Sequence, residues 1–377
     1  MPAKSGIGIY DKLGVRPVIN AWGVATELGG WTLTPEATKA MSEANRSQVE
    51  MQEFMGKAGD FIAGLLGVEA ALVTPGGAAA QALATAACMA GTDPDRIAQL
   101  PDTTGLKNEV LIQKRNRYMF DRCFTIAGAK LVEAGDDKGT TPEQLDAAIG
   151  PDTAAVAYYI QPPADPAILS LADTAELARS RGVPVIADAC SQIYPLDYFR
   201  SNAQSADLVT FGAKYLGALH ATGFVCGTRE MVDAVAAQDF VSYHFGGLRG
   251  IGRAMKVDRH GIAAVVAAMD AWFTMDHETR IAGYEARIAM IQEAFSGVPG
   301  VRVERLETHH YVPQMVHVVL DTAAVGKNAD QVRAEMDSGS PRIWVGATGE
   351  DVVTISVHTL NEGELEVLIP RLRDAVA

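Results

Sequence analysis

The chain has 377 residues, 48% hydrophobic and 21% charged, which suits two domains, or one large and one small lobe, built on a sizeable packed core. Its 32 Lys plus Arg against 46 Asp plus Glu give a formal net charge of −14, the wrong sign for a generic binder of phosphate backbones, so no nucleic-acid partner is expected. No apolar run approaches the ~18 residues of a membrane span, the opening MPAKSGIGIYDKLG lacks a signal-peptide apolar region, and the cytoplasm is the expected location.

From about Glu69, β-rich apolar runs alternate with helical stretches. AALVT (70–74) reads as a strand, and a Gly-Gly turn leads from it into an Ala-rich helix ending near Met89. NEVLIQK, AKLVEAG, AAVAYYIQ and VPVIADA follow as strands, with helices over Pro142–Ile149 and Leu171–Arg181 between the later ones. This alternation predicts a mostly parallel sheet covered by helices on both faces. After Asp207-Leu-Val-Thr-Phe, glycines at 212, 217, 223 and 227 punctuate two short strands, a helix starts near Glu230, and GGLRGIGRAMK (246–256) reads as a loop. One long helical stretch is predicted from about His260 towards Phe295, as a connector. Strands near 301–306, 315–320, 343–345 and 352–357, with helices near 329–336 and 362–376, complete a smaller α/β lobe. The expected division is an N-terminal arm (1–45), a large domain (46–259), and a connector helix with a small C-terminal domain (260–377).

Three elements carry chemistry. In V-I-A-D-A (185–189) an acid ends a buried strand, the place where open parallel sheets bind ligands. A buried carboxylate needs a positive or hydrogen-bonding partner, and a protonated pyridine nitrogen is one. In D-L-V-T-F-G-A-K (207–214) a single cation follows the next strand, 26 positions after Asp188. A lysine desolvated there has a lowered pKa and a nucleophilic amine. The third, T-P-G-G-A (74–78), lies between strand and helix, where backbone N–H groups receive a phosphate. Each alone has a commonplace explanation: a helix cap, a surface charge, a turn. Taken together and in this order, they describe a site for pyridoxal 5'-phosphate (PLP), with Lys214 holding the cofactor as an imine and Asp188 facing its ring nitrogen.

The segment AGTDPDRIAQLPDTTGLKNEVLIQKRNRYMFDRCFTIAGAKLVEAGD resembles the selenocysteine-synthase-like (SelA-like) family of PLP enzymes, as do RPVINAWG, ADLVTFGAKYLG, TGFVCG and GRAMKVDR. Within that family the resemblance points to the branch of D-glucosaminate-6-phosphate ammonia-lyases. It runs from about Val15 to the C-terminus and implies an α/β, PLP fold-type I (aspartate-aminotransferase-like) chain. It implies Lys214 as the imine lysine, Asp188 as the pyridinium partner, and Gly76, Gly77 and Ala78 at the cofactor phosphate. It also implies a homodimer or higher homo-oligomer. Relatives commonly carry Ser-Gly-Gly-Lys where this chain has Phe211-Gly212-Ala213-Lys214, so the usual hydroxyl is absent and Thr210 is the nearest replacement.

On the substrate side, arginines suit carboxylates and phosphates through paired hydrogen bonds. Arg253 lies in the glycine-rich loop, where it meets substrate or lines a subunit interface. Arg342 matches the arginine that meets a substrate carboxylate in many fold-type I enzymes. Trp22 lies in a family segment that approaches the site, or is a core aromatic. Gln113 and Asn116 follow a strand end, placed to cover the cofactor ring or meet the substrate. His244 and His358 read as structural. The pair His309-His310 lacks a third ligand, the cysteines form no C-x-x-C or Cys/His pattern, and no metal site is expected.

The expected activity is elimination of ammonia or another β-leaving group from a small polar amino acid or amino-sugar acid. Racemisation, aldol cleavage and transamination use the same Lys and Asp. Selenium transfer to seryl-tRNA is disfavoured by the acidic charge and by a chain that begins almost at the catalytic core. A catalytically silent relative is disfavoured by the retained Asp188 and Lys214.

Overall fold

The computed structural model of the chain describes residues 8–306 and 315–377, so the pair His309-His310 lies outside the described residues. In chain order the strands are β1 (Val18–Asn20), β2 (Ala70–Thr74), β3 (Glu109–Gln113), β4 (Lys130–Ala134), β5 (Thr153–Tyr159), β6 (Val185–Asp188), β7 (Leu208–Gly212), β8 (Gly223–Gly227), β9 (Val301–Arg305), β10 (Met315–Leu320), β11 (Arg342–Trp344), β12 (Gly346–Thr348) and β13 (Val352–Ser356). Two compact units emerge: 33–275, and a smaller one made of the N-terminal residues up to 32 with 276–377.

The larger unit carries a seven-stranded sheet in the order β2-β8-β7-β6-β5-β3-β4. Neighbours from β7 to β4 run parallel, and β8 is antiparallel to both β2 and β7. Strands β2, β6, β7 and β8 are buried along their whole length, because helices cover both faces and every side chain needs an apolar neighbour. The helix Gly77–Ala90 is alanine on nearly every side, which lets it lie close against β5, β6, β7 and β8. Below the sheet Phe211 packs on Phe199 (4.9 Å between ring centroids) and Phe224 (5.1 Å), all three without solvent exposure.

In the smaller unit, an antiparallel sheet β12-β13-β10-β9 alternates buried and half-buried residues along β10. Helices His277–Ala294, Ala329–Ser338 and Glu364–Ala375 supply Ile288, Ile291, Val332, Met336, Leu368 and Leu372 to its core.

Two sequence expectations are corrected. The 260–295 stretch is two helices, Arg259–Thr274 and His277–Ala294: Met275 is extended (ψ 154°), and the Asp276 side chain accepts the N–H groups of Glu278 and Thr279, starting a second helix. The N-terminal residues are not a separate arm. β1 pairs in parallel with β11, Val18 opposite Arg342, and the Ser356 N–H donates to the Ala21 carbonyl, whereas helix Pro35–Ala44 packs on Arg259–Thr274 in the larger unit. Among the described residues no helix is long and apolar enough to cross a membrane.

Candidate active site

β6 and β7 are neighbours with Asp188 in register with Thr210, so the carboxyl ends of both strands open at one edge of the sheet. Past the end of β7, Lys214 sits half-buried in the short 3-10 turn Ala213–Leu216, which Gly217 closes in a left-handed conformation (φ 82°). β8 brings the third element in: Gly223 is paired with Thr74 at the end of β2 and with Gly212 at the end of β7. The approach is close. A Cβ on Gly223 would stand 2.5 Å from the Phe211 carbonyl oxygen and 2.8 Å from Gly77 N. The glycine turn, the residues after Asp188 and the Lys214 lead-in are thereby gathered in one place.

Asp188 is 3% exposed. Its Oδ2 accepts the Gln81 amide Nε2–H at 2.5 Å and the Tyr118 hydroxyl at 2.5 Å, and its Oδ1 accepts the Cys190 backbone N–H at 3.0 Å. The Tyr118 ring lies flat on that of Tyr159, 4.2 Å between centroids and 8° between planes. Burial, and then the neighbouring Asp188 charge, hold the Tyr118 phenol far above its ordinary value, so it is a permanent donor. Burial and Asp188 likewise raise the Cys190 thiol, with Lys214 pulling the other way. Burial and then Lys214 lower the His220 imidazole.

Sequence reasoning missed Gln81 and Tyr118. The signal for Gln81 was available: it is the one amide in GAAAQALATAACMA, one helical turn after Gly77. Tyr118 lies two residues from Asn116 in a segment already singled out.

The remaining candidates are placed as follows. Asn116 accepts the Tyr159 N–H (2.7 Å) and donates to the Tyr159 carbonyl (2.9 Å), clamping the backbone of the residue stacked on Tyr118. Gln113 is corrected as a substrate ligand: it is fully buried, with its amide bonded to both backbone groups of Leu169 and to the Thr174 hydroxyl. Thr210 turns its hydroxyl to the Ala187 carbonyl (3.5 Å), so it bonds the neighbouring strand. Arg253 lies over the Tyr243 ring at 6.0 Å. Trp22 and Arg342 belong to the smaller unit. There the Trp22 and Trp344 rings are 5.6 Å apart, and Arg342 Nε and Nη2 both meet Asp337 Oδ1, at 2.9 and 2.7 Å. The Phe211 side chain is in the core, where it serves as a packing residue. Among the described residues no group of His, Cys, Asp or Glu is arranged to hold a metal ion.

The site's chemistry fits PLP. The helix Gly77–Ala90 has no side-chain cap at its N-terminus, Gly76 holds φ 98°, and a Cβ at Gly76 would meet nothing within 4 Å, leaving first-turn amides and open space for a phosphate. Asp188 supplies a buried carboxylate, and Lys214 supplies an amine at the end of the adjacent strand.

Comparisons with known proteins agree. The chain is 31% identical to a 5'-C-glycyluridine monooxygenase-decarboxylase from Streptomyces sp over 348 residues, 89% of this chain and 83% of that one. It is 28% identical over 97% of both chains to the D-glucosaminate-6-phosphate ammonia lyase of Salmonella typhimurium. The match to the L-seryl-tRNA(Sec) selenium transferase of Moorella thermoacetica, 30% identical, spans 71% of this chain and 57% of the transferase. A solved D-glucosaminate-6-phosphate ammonia-lyase superposes with a TM-score of 0.86 at 26% identity, covering 98% of each chain. A structure of SPT with PLP (TM-score 0.57, 14% identity) and a Thermus thermophilus aspartate aminotransferase (0.52, 16%) share the fold. No family model matches the chain. With its cofactor-site elements gathered on a fold-type I sheet and relatives matching along nearly its whole length, the chain belongs to the SelA-like family of PLP-dependent enzymes.

Proposed function

We propose that the protein is a PLP-dependent lyase that eliminates ammonia, or another group β to the amine, from an amino-sugar acid or a small polar amino acid. The observation that carries this reading is the match to the ammonia-lyase along 97% of both chains. PLP, when bound, supplies an electron sink conjugated to the substrate amine. The chain's own residues do the rest. The amides of Gly77 and Ala78 bind the phosphate at the helix N-terminus, after a turn in which the Gly76 N–H donates to the Thr74 carbonyl. Asp188 keeps a proton on the ring nitrogen, and Lys214 first holds the cofactor and then takes the proton from the substrate Cα. Arg253, in the same unit as Asp188 and Lys214, is retained as a candidate for the substrate's acidic end.

A homo-oligomer is part of the proposal: Met119 (82% exposed), Phe120 (60%) and Ile126 (52%) present apolar surface suited to a second copy. The four cysteines are free, as suits a reducing cytoplasm. A second reading, loss of a carboxylate from Cα, is favoured by the 31% identity with the decarboxylase.

Holoenzyme incubated with D- and L-hydroxyamino acids and amino-sugar acids, with and without phosphate esters, separates the two readings. Ammonia and a keto acid in equal amounts support elimination. Carbon dioxide without keto acid supports the second reading and overturns the first.

A further inference from the structure

Among the described residues, two side chains with no assigned role, Gln81 and Tyr118, donate to the Asp188 carboxylate. Gln81, 2% exposed, sends its Nε2–H to Oδ2, and the same nitrogen lies 3.2 Å from the Tyr118 oxygen. Turned this way, its Oε1 is buried with no hydrogen-bond partner among the described residues. A buried amide oxygen left unpaired is unfavourable, and the reversed amide would set that oxygen against the carboxylate. The orientation is thus explained by what the NH2 end does for Asp188.

Tyr118 is directed just as firmly. Asn116 fixes the Tyr159 backbone at both N–H and carbonyl, Tyr159 stacks on Tyr118, and Tyr118 aims its hydroxyl at Oδ2. The chain Asn116, Tyr159, Tyr118, Asp188 also explains Asn116, which acts on the acid through two aromatic rings.

We propose that Tyr118 and Gln81 are positioning residues for the cofactor: their two donors hold the Asp188 carboxylate as an anion at a fixed place, and so keep the shared proton on the pyridine nitrogen. This rests on the reading that PLP binds between Asp188 and Lys214. The effect is electrostatic. Donors to an ionised carboxylate favour its charged form and make it a weaker base. A weaker base leaves the proton on nitrogen, where it sustains the electron sink. Remove a donor and the proton moves along the same hydrogen bond to the acid, leaving a neutral ring beside a neutral carboxyl.

The test uses holoenzyme loaded with PLP labelled with nitrogen-15 in the ring, in wild type, Tyr118→Phe and Gln81→Met. The ring-nitrogen resonance of wild type is expected in the pyridinium range. Both variants move towards neutral pyridine at the same pH, and each loses PLP affinity roughly tenfold, the size of one charge-assisted hydrogen bond. Resonances unchanged in variants that fold and load overturn the proposal, even if stability falls. Gln81→Met keeps the length of the side chain in an apolar setting and carries the test if Tyr118→Phe fails to fold. Borohydride reduction of wild type, followed by peptide mapping, tells failure of the parent reading from failure of this one. PLP fixed on a residue other than Lys214 sinks the parent reading, whereas PLP on Lys214 with an unmoved resonance sinks only the role of Tyr118 and Gln81.

Discussion

Gly77 and Cys190 are in contact to the point that neither can grow: a Cβ on Gly77 would stand 2.5 Å from Cys190 Sγ, and its next neighbours, the carbonyl atoms of Phe211, are 3.9 Å away. One side chain is the whole obstruction. Gly77→Ala is therefore expected to weaken PLP binding at least tenfold, about 1.4 kcal/mol, by displacing the helix start proposed to meet the phosphate. Cys190→Ala in the same chain is expected to restore most of the loss. Absorbance titration with PLP reads both, and a double variant as weak as the single one would contradict the contact.

Lys214→Ala removes the amine at the end of β7. The visible absorbance of lysine-bound PLP is expected to vanish and turnover to fall by roughly 10²–10⁴-fold, the usual worth of a positioned acid–base group. Normal turnover in this variant would falsify the assignment. Added methylamine, which replaces the lost base, should recover part of the rate.

The Phe211 ring is packed between Phe199 and Phe224 with no exposure. Phe211→Ser puts a hydroxyl into that core and leaves a cavity, at a cost of about 3–5 kcal/mol in urea unfolding. PLP affinity should not rise. A variant that binds PLP more tightly at unchanged stability would show that the side chain faces the cofactor after all.

Stability should decline in alkali. Burial holds the Cys226 thiol well above its ordinary 9.0, and burial, then Asp173 and Asp165, push the Tyr158 phenol from 10.0 up to about 12. The unfolded chain releases these protons first, so it binds fewer protons than the folded chain, and stability falls as pH rises. The loss begins near pH 9 for the thiol and near pH 10 for the phenol, at about 1.4 kcal/mol per pH unit for each group. Denaturant midpoints from about pH 8 to about pH 10.5 measure the slope. Cys226→Ala should lessen it above pH 9 by one thiol's share, the buried Cys88 and Cys190 thiols, raised in the same direction, keeping theirs, and an unaltered slope would remove Cys226 from the explanation.

The sheet was legible because its central strands are short apolar runs ended by glycine or an acid, and because ligand-bearing residues of such sheets sit at strand ends. The strand-end positions of Gly76, Asp188 and Lys214 follow from that rule. Gln81 and Tyr118 do not, since they meet Asp188 across 107 and 70 residues of sequence, and only the fold decides which buried polar groups face each other. Gln113 failed for the same reason: its partner Leu169 lies 56 residues on, in a connection whose path has no local signature. The break at Met275 carries neither proline nor glycine. Only the capping geometry of Asp276 reveals it, and an aspartate inside a helical pattern is ordinary.

The pairing of β1 with β11 has a consequence for synthesis on the ribosome. Residues 33–275 form one uninterrupted unit, and every strand of its sheet has its neighbours once Gly227 has emerged. β1 emerges first of all the strands but has no partner until Arg342–Trp344 follow, about 320 residues and, at ~5–20 residues per second, roughly 16–64 s later. The nascent chain thus carries an unpaired apolar strand through most of its translation. The interval in which it is open to mispairing or chaperone capture is set by elongation rate, and slowing translation after Gly227 should lengthen it.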